Sequence, residues 1–361
     1  MRLRSSFASV LAASVLAVSF SVAPSTALAY SQVVAFGDSL SDTGNLLARL
    51  QPYGLTVPNA PYVDGRFTNG PVAVEVLADA LGVSLISYAY GGALTGTLNQ
   101  FQISVPASAP LVAGTGMASQ VSAYTSSGLL DAQALHVVWG GGNDFLGALS
   151  GGDLSVLPTV VSTAVQNLAG QVQSLYGAGA RSFLVPLMPD FATSYLGTSG
   201  AYSTAQLSGL SMSFNQALSG AMVSLGAALP GADIVVFNTP EVLAAVRAQI
   251  AAEGGNVTDR CWSGSYLGQG STPACANPDS HFLFDSVHPT ARVHAAVGLA
   301  MAAAVPEPST WAMLVAGLVF IQHHHDLQQI EVAAEIDSAL LADDLPPAAY
   351  GDPGFSEFLR G

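Results

Sequence analysis

Five short apolar runs, each breaking into polar or glycine residues, constrain this chain more than any other feature in it. They are VVAFGDS (33–39), LISYAYGG (85–92), HVVWGGGND (136–144), RSFLVPLMPD (181–190) and ADIVVFN (232–238). None alternates apolar with polar residues, so none reads as a strand with one wet face; such runs belong to strands covered on both sides, as in a parallel sheet. Between them lie segments with apolar residues at three- and four-residue spacing, over 69–82, 155–180 and 203–231, closing on glycine-rich or Pro-Gly sequence, the punctuation of helix ends. Strand and helix alternate, with crossovers long enough for right-handed βαβ units. The expected fold is a three-layer α/β/α sandwich on a central parallel sheet of about five strands. In such a sheet the ligand sits in the crevice outside the carboxyl ends of the strands, and three of the runs end there in Asp-Ser, Gly-Gly and Gly-Asn-Asp.

Composition narrows what could bind. Half of the 361 residues are hydrophobic and 9% are charged, ample to fill a core, and the formal net charge is −15 with nine arginines and no lysine. That field repels polyanions, so nucleic acid is excluded as a partner and a neutral or weakly charged substrate is expected. The N-terminus, MRLRSSFASVLAASVLAVSFSVAPSTALAYSQ, runs from two arginines through an apolar stretch to small residues. This is the layout of a secretory signal peptide, with cleavage expected after Ala29. An exported chain meets an oxidising compartment, so Cys261 and Cys275, the two cysteines present, are expected to form a disulfide worth roughly 3 kcal/mol for a loop of about 15 residues. Without a local histidine pair they make no convincing zinc site.

The first run ends in Ser39, at the carboxyl edge of its strand, where a serine can attack a carbonyl if a base removes its proton. It is not the Gly-x-Ser-x-Gly elbow of the α/β-hydrolases, because position 41 is Ser. Of seven histidines, His323, His324 and His325 lie in the tail, His136 starts a strand, and His294 falls within the expected last helix. His281 and His288 remain, in SHFLFDSVHPTARVH. Asp285 precedes His288 by three positions, so one turn can bring the carboxylate onto Nδ1 and leave Nε2 facing the serine. Pro289 is expected at the first turn of the helix that follows. Acyl transfer also needs hydrogen-bond donors where negative charge develops on the carbonyl oxygen. Gly91 and Gly92 can each bring a backbone N–H close, and Asn143 offers a side-chain amide. Asp38 reads as a structural partner for loop N–H groups. Residues 100–120, rich in small side chains, are expected to border the acyl site.

Taken in order, FGDSLSDTGN, YAYGGA, GGGNDF and DSVHPT resemble the four blocks of the GDSL or SGNH hydrolase family over about residues 33–304, and most closely its phospholipase, lecithinase and hemolysin-like branch. The resemblance implies a flavodoxin-like sheet, an ester or thioester substrate, an acyl-enzyme on Ser39, and no metal or organic cofactor. It implies Ser39, Asp285 and His288 as the catalytic triad and Ser39, Gly92 and Asn143 as the oxyanion hole, the family pattern favouring the second glycine over Gly91.

After residue 304 the composition changes. VPEPSTWAMLVAGLVF resembles the PEP-CTERM sorting signal of exported bacterial proteins, although QHHHDLQQ stands where that signal carries a basic cluster. Its apolar core, 311–321, reaches roughly 16 Å as a helix, too short to span a bilayer alone. From Glu307 onward nine acidic residues face one arginine. The expected organisation is a signal peptide (1–29), a hydrolase domain (30–304), an apolar sorting-like segment (305–321) that offers membrane or envelope association, and an acidic tail (322–361). The leading expectation is a secreted or envelope-attached bacterial esterase or lipase acting on a small-molecule or lipid ester. A carbohydrate deacetylase and a non-catalytic binding module are the alternatives.

Overall fold

The computed structural model describes residues 30–200, 202–265 and 273–305. The expected signal peptide, the sorting-like segment after Val305 and the acidic tail, with His323 to His325, lie outside the described residues. All five expected strands form: β1 (Gln32–Gly37), β2 (Ser84–Ser87), β3 (Leu135–Trp139), β4 (Ser182–Pro186) and β5 (Asp233–Phe237). They are parallel throughout, in the order β2-β1-β3-β4-β5. Chain order reverses between β1 and β3, which opens a crevice at their carboxyl ends.

The apolar runs are unbroken because both faces are covered. On β1, Val34 and Phe36 face one hydrophobic cluster while Val33 and Ala35 face another. Among the described residues there are ten α-helices: α1 (Asn45–Leu50), α2 (Ala73–Leu81), α3 (Gln100–Ser104), α4 (Met117–Ser126), α5 (Gly142–Gly151), α6 (Leu157–Ala178), α7 (Tyr195–Thr198), α8 (Thr204–Ala228), α9 (Thr239–Ala252) and α10 (Ala291–Ala304). Helices α4, α5, α6 and α8 supply the first cluster, and α2, α9 and α10 the second. Helices α2, α6 and α8 fall within the expected segments. The last helix begins two residues later than expected: Thr290 is its cap and Asn69 Oδ1 accepts the N–H of Ala291 at 2.9 Å. Pro289 is instead held in the preceding turn, where its carbonyl accepts the Thr68 hydroxyl at 2.8 Å. Among the described residues no helix is long and apolar enough to cross a membrane.

The sequence pattern did not announce a second, two-stranded parallel sheet of β6 (Asn256–Arg260) and β7 (His281–Leu283). NVTDR carries too few apolar residues to read as a strand. Its role is delivery: the chain leaving β7 reaches Asp285 within two residues, and the chain leaving β6 enters the expected disulfide, Cys261–Cys275, with Cα atoms 4.9 Å apart. A third, smaller cluster, which includes Leu46, Tyr62, Phe67, Trp262 and Phe284, packs beside this end of the sheet.

Candidate active site

The turn that presents Ser39 is set by Gly37, the last residue of β1. A Cβ on Gly37 would lie 2.5 Å from the Trp139 carbonyl oxygen, closer than any side chain tolerates. Both of its backbone groups are taken by one buried side chain: Gln120 Oε1 accepts its N–H at 2.9 Å and Gln120 Nε2 donates to its carbonyl at 2.8 Å. Beyond Gly37 the chain turns through Asp38, whose carbonyl accepts the Ser41 N–H and whose Oδ1 accepts that of Leu40, each at 3.0 Å. Ser39 emerges only 8% exposed.

Ser39 Oγ lies 2.7 Å from His288 Nε2, and His288 Nδ1 lies 2.6 Å from Asp285 Oδ2. With a carboxylate at Nδ1, that nitrogen carries the proton and Nε2 is the acceptor for the serine hydroxyl. Asp285 Oδ1 accepts the N–H groups of Val287 and His288 at 2.9 and 2.7 Å, so the Asp-x-x-His turn orients its own carboxylate. Tyr62 donates its hydroxyl to Asp285 Oδ2. Burial by itself pushes the Asp285 carboxyl up, but the His288 charge and the hydrogen bonds from His288, Tyr62 and Val287 outweigh it and hold the group below the ordinary carboxylate value. Asp38 is different. Burial raises it to about 6, against the smaller lowering pulls of the Leu40 N–H and His288.

The two glycines separate clearly. Gly91 donates its N–H to Asp42 Oδ2 at 2.7 Å, whereas Gly92, at φ +77°, has no hydrogen bond to its N–H among the described residues. A Cβ on Gly92 would meet Asn99 Oδ1 at 2.6 Å. Asn143, near the start of α5, donates one amide hydrogen to the Ala93 carbonyl at 3.0 Å; its second hydrogen remains, and the bond ties Asn143 to the residue after Gly92.

Two further carboxylates of the motif blocks, to which the sequence alone assigned no role, brace the site. Asp42 is fully buried and accepts four backbone N–H groups, those of Gly44 and Asn45 on Oδ1 and of Leu46 and Gly91 on Oδ2. Burial pushes it up to about 6 while these donors pull it down; with both oxygens occupied as acceptors, it serves as a carboxylate. Asp144 accepts the N–H and hydroxyl of Thr95 at 3.0 and 2.7 Å, fixing the glycine loop to α5. The Asp-x-Gly-Asn spacing of 42–45 is the one local signal for Asp42, a side chain folding onto the N–H groups just after it.

The other histidines are occupied elsewhere. His136 lies between Tyr124 and the Ser182 carbonyl, lowered to about 4 by burial. His294, 1% exposed, accepts the Ala73 N–H at the start of α2 through Nδ1 at 3.2 Å and is lowered to about 3, by burial first and His288 second. His281 sits 3.5 Å from Cys275 Sγ. Cys261, Cys275 and His281 are grouped like metal ligands, but both sulfurs are consumed by the disulfide, so the trio offers one ligand.

Ser39, His288 and Asn143 open onto a cleft of about 740 Å³, part of it open solvent, whose walls include Trp139, Leu146, Met188, Phe191, Leu243 and Phe282. No residue of 100–120 lines this cleft, but Phe101 packs against Gly92, where a Cβ would meet its ring at 2.9 Å. Within that segment Phe101 and Val112 join the third cluster and Met117 the first, while Ile103 stays exposed.

A family model described as GDSL-like lipase/acylhydrolase matches residues 33–301. A second, for a protein of unknown function, DUF3619, matches residues 274–361. An uncharacterised protein of the trpE–trpG intergenic region of Pseudomonas putida is 30% identical over 289 residues, covering 72% of this chain and 46% of that protein. The phosphatidylcholine-sterol acyltransferase of Aeromonas hydrophila is 33% identical over 119 residues, 33% of this chain and 34% of that enzyme. The chain thus spans less than half the length of these curated relatives. A GDSL esterase/lipase of Arabidopsis thaliana is 25% identical over 311 residues, 72% of this chain and 84% of the plant protein.

Proposed function

The chain belongs to the GDSL-like lipase/acylhydrolase family, and from that premise we propose that it is a secreted serine hydrolase that cleaves carboxylic esters through an acyl-enzyme on Ser39. The observation that carries this reading is the continuous array Ser39–His288–Asp285 opening onto an apolar cleft.

His288 Nε2 takes the Ser39 proton as Oγ forms its bond to the ester carbonyl carbon, and the carbonyl electron pair moves onto oxygen. Asp285 stabilises the imidazolium so formed. The N–H groups of Ser39 and Gly92 and the amide of Asn143 hold the oxyanion, each such donor contributing about 10²–10³ in rate. As the tetrahedral intermediate collapses, the ester C–O bond breaks and His288 returns the proton to the leaving alcohol. Water, activated by the same imidazole, then releases the acid and restores Ser39. None of these steps needs a metal or organic cofactor.

The cleft walls favour an uncharged, apolar acyl group, since burying a charge there without a partner would be costly. A small-molecule or lipid ester fits this description better than an acetylated polysaccharide, which would leave the walls uncovered. In this reading residues 1–29 direct export, 30–304 form the hydrolase domain, and the 305–321 segment retains the protein at the envelope, ahead of the acidic tail.

The test is hydrolysis of p-nitrophenyl esters from acetyl to palmitoyl, with Ser39→Ala as control. Activity rising with acyl length and abolished in the variant supports the proposal. Equal activity of the variant removes Ser39 as nucleophile, and confinement to acetyl esters favours a deacetylase.

A further inference from the structure

We propose that Tyr62 is a positioning residue for the reaction, its hydroxyl clamping the Asp285 carboxylate in the orientation that serves His288. The inference rests on the serine-hydrolase reading above and adds a fourth side chain to the array.

The motif blocks do not contain Tyr62. It lies in the loop between α1 and α2, 223 residues from Asp285, and donates to Oδ2, the oxygen that also faces His288 Nδ1. With Val287 and His288 N–H groups on Oδ1, the carboxylate has two donors on each oxygen. A buried carboxylate in that state cannot rotate without losing a charge-assisted hydrogen bond. Three of the four donors come from the Asp-x-x-His turn itself and would move with it. Tyr62 is the one anchored in another part of the fold.

The anchor is stiff. Tyr62 is 7% exposed, and its ring meets Trp262 and Phe284 edge-on at 4.9 and 5.3 Å and Phe67 at 5.9 Å. Phe67 in turn lies 5.3 Å from the His288 ring, so one aromatic cluster touches both partners of the Asp–His pair. Trp262 is itself fixed, its backbone N–H donating to the Phe284 carbonyl at 2.7 Å next to the disulfide residue Cys261. Edge-to-face packing of this kind adds to burial and leaves the hydroxyl little freedom.

The charge consequence has a definite sign. As the imidazolium forms, Asp285 must remain ionised and in plane. Without the Tyr62 hydroxyl its charge is less shared, which draws a proton onto the Asp–His pair at a higher pH. The other titratable or charged groups facing the pair are Asp38 beside Ser39, His294 on α10, and Arg260 at the end of β6, which donates to Ser286 Oγ at 2.6 Å. Substituting Tyr62 by Phe leaves all of them in place.

The experiment compares the full-length protein with Tyr62→Phe and Ser39→Ala on the best p-nitrophenyl ester. For Tyr62→Phe the expected result is kcat lower by roughly tenfold, KM within about twofold, and the acid limb of kcat/KM displaced to higher pH, with an unchanged circular dichroism spectrum. A role in packing alone predicts a wild-type kcat and limb, because Phe keeps the ring. An acid limb that does not move overturns the proposal even if kcat falls. Should Tyr62→Phe fail to fold, 3-fluorotyrosine incorporated at position 62, a stronger donor of the same shape, is expected to move the limb to lower pH, and no movement overturns the proposal. Full activity in Ser39→Ala would refute the reaction assignment itself. An inactive Ser39→Ala beside a Tyr62→Phe of wild-type behaviour refutes only the role of Tyr62.

Discussion

Ser39 Oγ and His288 Nε2 lie 2.7 Å apart although 249 residues separate them in the chain. If the two act as one unit, their losses are not additive. Ser39→Ala and His288→Ala should each lower kcat at least about a thousandfold, and the double variant should be little worse than either single one. Steady-state kinetics on one ester decides this. Multiplicative losses would mean the two side chains act independently.

Asn143 holds the Ala93 carbonyl with one amide hydrogen, lines the cleft, and is proposed to give its other hydrogen to the oxyanion. Asn143→Ala should therefore cost about 10²–10³ in kcat with little change in KM, the pattern of a donor that matters in the transition state. A change confined to KM would assign Asn143 to ground-state binding instead.

His294 should make stability fall on acidification. Its value in the folded protein, lowered to about 3 by burial and by His288, lies below the ordinary histidine value, so the unfolded chain binds the extra proton first. Its contribution is intact above about pH 6.5 and is lost progressively as pH falls toward the folded value. Asp38 and Asp42, raised to about 6 chiefly by burial, work oppositely: their stabilising contribution is full below about pH 4 and is lost as pH rises through 6. A comparison of variants isolates the histidine. Between pH 7 and 5 wild type should lose roughly 2 kcal/mol more than His294→Gln, read from urea unfolding at the two pH values.

Opening the Cys261–Cys275 bridge with a Cys261→Ser/Cys275→Ser variant should lower stability by roughly 3 kcal/mol, or about 6–10 °C in Tm by calorimetry. Because Cys261 adjoins Trp262, activity should decline at temperatures below the global transition. Loss of activity only with global unfolding would uncouple the bridge from the site.

Much of this molecule is written locally. Unbroken apolar runs report burial on both faces, as β1 and β3 show, and a strand that halts at Gly-Asp-Ser or Gly-Asn-Asp announces an edge where polar groups gather. Segments with weak local contrast were not legible. Polar β6 takes its form from pairing with β7, and 100–120 is held by a few anchors, Phe101, Val112 and Met117, that find apolar partners in the core.

The sequence by itself determined the alternation of strand and helix, the parallel sheet, the pairing of the two cysteines as an expectation, and which serine, histidine and aspartate could form one array. Only the tertiary structure shows that Asp42 already occupies the Gly91 N–H, the reason Gly92 is the donor proposed above. It alone placed Tyr62 at the site, gave Asp42 its four backbone donors and set the walls of the cleft. The reason is physical. Periodicity encodes how a residue meets the core around its own segment, whereas a hydrogen bond such as that of Tyr62 to Asp285 joins groups 223 residues apart and exists only once both segments have been packed into place.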